Sequence, residues 1–308
     1  MSTSDNSPTS RLPGILWILT SGCCWGFHGV LIKFALGFGI SFLQVFLVET
    51  LFAAIFFGSF AKSFFKKLRP TRPSHWWSLL GLGLSTIGVG NLLFYAFSVG
   101  PVAIGATLMF MYLPVVYAYS LLAKHQVFSW RKMAAILSIL IGAFLTTEIA
   151  TSFKEPGALP AVFASLTAAM CWAVVFIITP GIAGHTTTEF RCFAVSGIGF
   201  IGTLVILAFV PSLWLPITGN LWMFAGLAIV LGAIGQTLPV IALMRGLPLT
   251  GSSLGGVLSS VELPIAVFSS ALILGESLNL PKVIGVVLVL AGIVYYNLSD
   301  RDRRSSNG

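Results

Sequence analysis

The stretch SSVELPIAVFSSALILGE, residues 259–276, sets a carboxylate, Glu262, two positions before Pro264 inside an otherwise apolar run. At an offset of 150 residues earlier the chain reads MYLPVV (111–116), which puts Pro114 on Pro264 and Tyr112 on Glu262. The same offset carries LSILIGAF (137–144) onto VLVLAGIV (287–294), with Gly142 on Gly292. Two more echoes come in order. GCCWG (22–26) matches AMCWA (169–173), setting Trp25 on Trp172 at 147, and Gly90-Asn91 matches Gly235-Gln236 at 145. Ordered matches whose spacing drifts by only a few residues describe an internal duplication.

Composition says in which solvent the two copies fold. The 308 residues are 56% hydrophobic and 8% charged, with a mean hydropathy of +0.97. Soluble domains carry roughly 25% charged residues, so the chain is read as a polytopic membrane protein. Apolar runs, divided at Gly, Pro and charged breaks, predict ten helices: 15–36, 42–61, 76–98, 101–123, 130–150, 157–179, 188–210, 221–245, 248–274 and 280–298. Strands are excluded because an unpaired strand in lipid leaves its backbone unsatisfied. An odd number of spans per copy forces the copies to insert in opposite senses, the inverted-repeat plan of secondary transporters. The expected fold is therefore an all-α membrane protein of ten transmembrane helices in two inverted five-helix repeats. Its segments are an N-terminal tail (1–14), repeats 15–150 and 157–298, and a basic tail (299–308).

The net charge of +8 has a topological reading. With the N-terminus in the cytoplasm, 14 of the 17 basic residues fall on that side. They are Arg11, Lys62, Lys66, Lys67, Arg69, Arg72, Lys124, Arg131, Lys132, Arg191, Arg245, Arg301, Arg303 and Arg304. Positive-inside then puts both termini in the cytoplasm. No basic face is interleaved with aromatics on a soluble module, which argues against nucleic acid. Cys23, Cys24, Cys171 and Cys192 all fall inside spans and suggest neither a disulfide framework nor a zinc site. The span at 15–36 is too long for a signal core and is read as retained. The sequon at Asn297 faces inward and is expected to carry no glycan.

The longer motif SSVELPIAVFSSALILGESLNLPKVIGVVLVLAGIVYY (259–296) and its counterpart LMFMYLPVVYAYSLLAKHQVFSWRKMAAILSILIGAFL (108–145) resemble the drug/metabolite transporter superfamily, in its ten-helix EamA-like branch. The resemblance runs from about Gly14 to Leu298; the first copy keeps Leu-Pro and the glycine but has His125-Gln126 where the second has Gly-Glu. It implies carriage of metabolites such as amino acids, nucleotide-linked compounds or amphipathic drugs, often outward. Many relatives have a basic residue near position 49, where this chain has Glu49.

Several side chains are candidates for carrying transport. Gly251, Gly255, Ser259, Glu262, Ala266 and Ser269 recur at helical spacing and form one small, polar face. Small residues there suit close helix packing; a carboxylate at mid-membrane depth instead calls for a cavity or a partner. Pro264 cannot donate to the carbonyl of Ser260, and Pro239 cannot donate to that of Gly235, which predicts two free oxygens. The expected substrate site comprises Glu262, Ser259, Tyr112, Trp25, His28, Asn91, Trp172 and Gln236, with Pro114, Pro264 and Pro239 as hinges. Glu49 is a second intramembrane acid, Lys33 is expected to snorkel, and Glu276 to cap or anchor its helix end. No His or Cys cluster has metal-ligand spacing, and no cofactor is expected.

These residues point to a secondary transporter for a small amine, cationic or zwitterionic. Amino acids fit, as does a sulfonium nucleoside such as S-adenosylmethionine, whose adenine would suit Trp and Tyr walls. The expected partners are that small-molecule substrate, a coupling proton or exchanged metabolite, and the lipid bilayer, with no nucleic acid. The expected location is a cell membrane, of the bacterial inner type. The alternatives are an exporter of amphipathic cations and a non-transporting membrane assembly protein. The second would need a soluble domain or long polar loop, and an enzyme a nucleophile–base pair; the sequence offers none of these.

Overall fold

The computed structural model describes residues 11–60, 72–147, 149–209 and 221–305, and they contain helices and no strand. The helices are α1 (Leu12–Gly37), α2 (Phe42–Gly58), α3 (Pro73–Val99), α4 (Val102–Leu122), α5 (Trp130–Thr147), α6 (Ala158–Ile182) and α7 (Thr188–Phe209). Then come α8 (Leu221–Val230, continuing through Leu231–Thr237 to Leu238–Thr250), α9 (Ser252–Leu274) and α10 (Leu280–Ser305). Nine of the ten are long and apolar enough to cross a membrane. At 17 residues, α2 meets the lower limit for a span. It is a well-defined helix: Ser41 and Gln44 close a reciprocal capping box at its start. Lys62, Lys66, Lys67 and Arg69 lie outside the described residues.

Two boundaries differ from the sequence expectation. The break expected between 245 and 248 lies at Gly251, whose φ of +81° suits glycine. α8 runs on through Pro248 because the carbonyl that this proline leaves unpaired, that of Met244, accepts a hydrogen bond from the Arg191 guanidinium at 2.9 Å. Likewise α6 continues through Pro180 to Ile182 instead of stopping at 179, the proline falling in the last turn.

Packing follows the duplication. α1 lies along α8 as α6 lies along α3; α2 pairs with α7 and α5 with α10, each helix with its own counterpart. The α5–α10 seam shows the offset of 150 directly. A Cβ on Gly142 would meet the Gly285 carbonyl at 2.6 Å, and a Cβ on Gly292 would meet that of Ala135 at 2.8 Å, which is the same contact with the copies exchanged. Ser138 donates to the carbonyl of its own counterpart, Leu288, at 2.8 Å, so this bond joins equivalent positions of the two copies. Without a hydrophobic drive between helices in lipid, such backbone-level contact is what holds them.

The bundle has two ends. At one, Asp300 takes Lys132 Nζ at 2.6 Å and Arg11 at 3.1 Å, Lys132 also donates to Gln126 at 2.8 Å, and Gln126 reaches Ser253 at 3.3 Å. At the other, Glu276 pairs with Lys33 and, at 3.8 Å, with Lys282. Gln126 and Lys132 stand 150 residues before Glu276 and Lys282, so the ends carry related clusters.

Candidate functional site

Two helices are interrupted at mid-length, at equivalent places. α4 passes through a 3-10 turn at Met109–Met111 and restarts at Tyr112; α9 halts at Ser259 and restarts at Glu262. Pro114 and Pro264 follow each restart, where the missing N–H removes a ladder bond. The Ser260 carbonyl, expected to be free, accepts from the Leu263 N–H at 3.1 Å, a tight-turn bond that replaces the lost one. The Gly235 carbonyl, also expected to be free, accepts from the Trp25 indole at 2.9 Å. Around it α8 widens into a π-helical stretch, Leu231–Thr237, a distortion that recurs at functional positions.

At this stretch a hydrogen-bonded side-chain pair presses on the backbone. His28 Nε2 and Glu49 Oε1 lie 2.5 Å apart, both buried. A Cβ on Gly235 would sit 2.6 Å from the same imidazole nitrogen and 2.7 Å from the same carboxylate oxygen. Glycine is therefore required here by contact. From α9, Glu262 lines the same cavity as His28 and Glu49. Helix α1 reaches this level because Gly26 packs on the Glu262 carbonyl, where a Cβ would be 2.6 Å away. No described Lys or Arg pairs with Glu262.

These three side chains face a cavity of about 520 Å³. It extends to the end of the bundle marked by Glu276: Lys33 and Leu36 of α1, Phe42 of α2, Phe97 of α3 and Val102 of α4 line it within a turn of their helix ends. Toward the Asp300 end the lining stops at Tyr112, Val175, Val195 and Met244. From Trp25 to Leu36 the lined length of α1 corresponds to about 16 Å of helix. The upper wall is apolar, with Phe42, Phe46, Leu93, Phe94 and Phe97.

Aromatic rings form the floor. Trp25 and Trp172, counterparts in the duplication, meet edge to face at 5.2 Å, and Trp172 abuts Phe176 at 5.4 Å. Tyr112 stacks on Phe176 at 5.0 Å and donates its hydroxyl to the Gly256 carbonyl at 2.8 Å, closing α4 against α9. Lining and floor thus bring together Trp25, His28, Tyr112, Trp172, Gln236 and Glu262. Ser259 and Asn91 stand apart from the lining. Ser259 lies beneath the break, its carbonyl facing Gly22 of α1. Asn91 donates to Thr203 at 2.9 Å, tying α3 to α7.

Lys33, expected to snorkel, lines the cavity mouth and pairs with Glu276. Glu276, expected to cap or anchor α9, bridges α1 and α10 through two lysines. Sequence reasoning noted Glu49 and His28 separately and missed their pairing. The signal was present: only residues 38–41 join α1 to α2, His28 lies nine residues before the end of α1, and Glu49 seven after the start of α2. Among the described residues no group of three or more His, Cys, Asp or Glu is arranged to hold a metal.

Comparison with known proteins agrees with this architecture. A solved structure titled "Crystal structure of protein" superposes with a TM-score of 0.78 at 18% identity, over 95% of this chain and 99% of that one, and so shares the fold. No curated protein matches the sequence. The model of the EamA-like transporter family matches twice, at residues 12–148 and 159–298, one match per five-helix copy. The chain belongs to the EamA-like transporter family, a family of multi-pass membrane transporters.

Proposed function

We propose that this chain is a secondary active transporter of a small amine-bearing metabolite, cationic or zwitterionic, working by alternating access. The observation that carries the reading is a blind cavity, open at one end of the bundle, whose mid-depth groups are two carboxylates and one imidazole. A protonated His28 neutralises Glu49 and leaves the Glu262 carboxylate for the ligand's ammonium or for a proton. Aromatic faces at Trp25, Trp172 and Tyr112 add cation–π attraction in the same place. The two oppositely inserted halves, 15–150 and 157–298, rock about this site and expose it to each side in turn. The basic residues favour a cell membrane with both termini in the cytoplasm, which sets the Glu276 mouth on the outer face.

A proton or an exchanged metabolite is the coupling partner. Uptake of a labelled amine and amino-acid panel, S-adenosylmethionine included, into proteoliposomes with and without a pH gradient identifies substrate and coupling. Glu262→Gln is expected to abolish coupling to the gradient and to weaken binding. Unchanged uptake and unchanged gradient dependence in that variant would remove Glu262 from the mechanism. The apolar upper wall favours a second reading, an exporter of amphipathic cations. Competition by many unrelated lipophilic cations, against sharp discrimination among amines, separates the two.

A further inference from the structure

Arg191, near the start of α7, is only 2% exposed. No described carboxylate pairs with it; Glu189, two residues earlier, is 3.4 Å from Arg245. The guanidinium is held by neutral oxygens alone: the Thr186 carbonyl at 2.8 Å and hydroxyl at 3.1 Å, the Thr188 hydroxyl at 3.2 Å, and the Met244 carbonyl at 2.9 Å. Its Nε is buried without a partner. With Glu189 near but engaged with Arg245, the buried guanidinium has no carboxylate in direct contact, a costly arrangement that is kept where it serves a purpose.

The position suggests the purpose. Met244 and Val195, the residue one turn on from Arg191, both line the cavity on the side where it is sealed. The cation therefore sits just under the floor, between the central acids and the Asp300 end. The opposite end has no equivalent: the first two turns of α2, Phe42–Val48, carry no basic residue, and Lys33 at the mouth is paired with Glu276.

We infer that Arg191 is an electrostatic barrier, which stops protons and ammonium ions from crossing between the central carboxylates and the sealed end while the cavity is open at its mouth. A fixed internal cation excludes cations from a narrow path much as arginines do in selective pores, and a carrier needs such exclusion to avoid uncoupled leak. The inference rests on reading the cavity as the path of a cationic substrate.

A purely mechanical role is the competing account, since Arg191 also pins α7 to the Met244 carbonyl. Substitutions separate charge from hydrogen bonding. Arg191→Lys keeps the charge and loses the planar fork; Val195→Glu keeps the fork and supplies a neutralising carboxylate one turn away; Arg191→Gln loses the charge. Each variant is reconstituted in proteoliposomes holding a pH-sensitive dye, and internal acidification is followed without substrate under a potassium diffusion potential set by valinomycin. Wild type and Arg191→Lys are expected to stay tight, and Arg191→Gln and Val195→Glu to leak about tenfold faster. A leaky Arg191→Lys with a tight Val195→Glu would overturn the inference in favour of the mechanical role. Tight vesicles in both charge-cancelled variants would also overturn it. If Arg191→Gln does not fold, Val195→Glu decides the matter alone. Failure of the cavity reading looks different: wild type and Glu262→Gln would then bind amines equally, whatever the leak.

Discussion

Gly235→Ala tests the centre of the site through packing alone, with no charge removed. The new methyl carbon would stand 2.6 Å from His28 Nε2 and 2.7 Å from Glu49 Oε1. Ordinary contact begins at 3.4 Å, so the two atoms must withdraw by about 0.8 and 0.7 Å. Their hydrogen bond ties the two atoms together, so both must shift as a unit within the cavity they line. Overpacking of this kind costs about 1–3 kcal/mol. Displacing a binding group by nearly an ångström can itself cost up to roughly a hundredfold in function. Amine affinity is therefore expected to fall about tenfold or more, with the unfolding midpoint lower by a few degrees. Gly226→Ala on the same helix is the control, since nothing lies within 4 Å of its would-be Cβ. Helix propensity there favours alanine by up to about 1 kcal/mol. The measurements are binding of the transported amine and thermal unfolding in detergent. Wild-type affinity together with a wild-type midpoint in Gly235→Ala would refute the claim that the charged pair rests on the backbone of α8.

Lys132→Met takes the buried lysine away from Asp300 and is expected to lower stability by about 3–5 kcal/mol, as for a broken buried pair, while Lys33→Met at the exposed mouth costs less than about 1 kcal/mol; thermal unfolding at low and high salt checks both. Tyr112→Phe removes the bond to the Gly256 carbonyl and should cost about 1 kcal/mol; denaturant unfolding measures it. Gly142→Leu drives a side chain into the Gly285 carbonyl and is expected to separate α5 from α10, read as loss of folded protein on gel filtration.

The sequence displayed the duplication clearly because matching residues kept nearly constant offsets, and the offset of 150 reappears as Gly142 on Gly285 facing Gly292 on Ala135. Glu262 was legible for a related reason: a carboxylate among small residues before a proline has few purposes in lipid. What stayed hidden depended on contacts between distant segments. Pro264 and Pro239 predicted two free carbonyls, but a sequence does not say which donor will fill them: Leu263 and Trp25 do so, and Arg191 fills a third, that of Met244, which the sequence reading did not name. Arg191 counted merely as a topological charge because its burial arises only when α8 closes over it. Lys33 and Glu276 are 243 residues apart, so their pairing has no local signature.

Helices α5 and α10 pack more extensively on each other than any other pair and contribute no residue to the cavity lining. The hardware of the machine is thus physically separate from its cargo bay. Changes of cargo can accumulate on the other eight helices without disturbing the strut. A transplant of both strut helices from a relative with another cargo should leave this chain's preference intact.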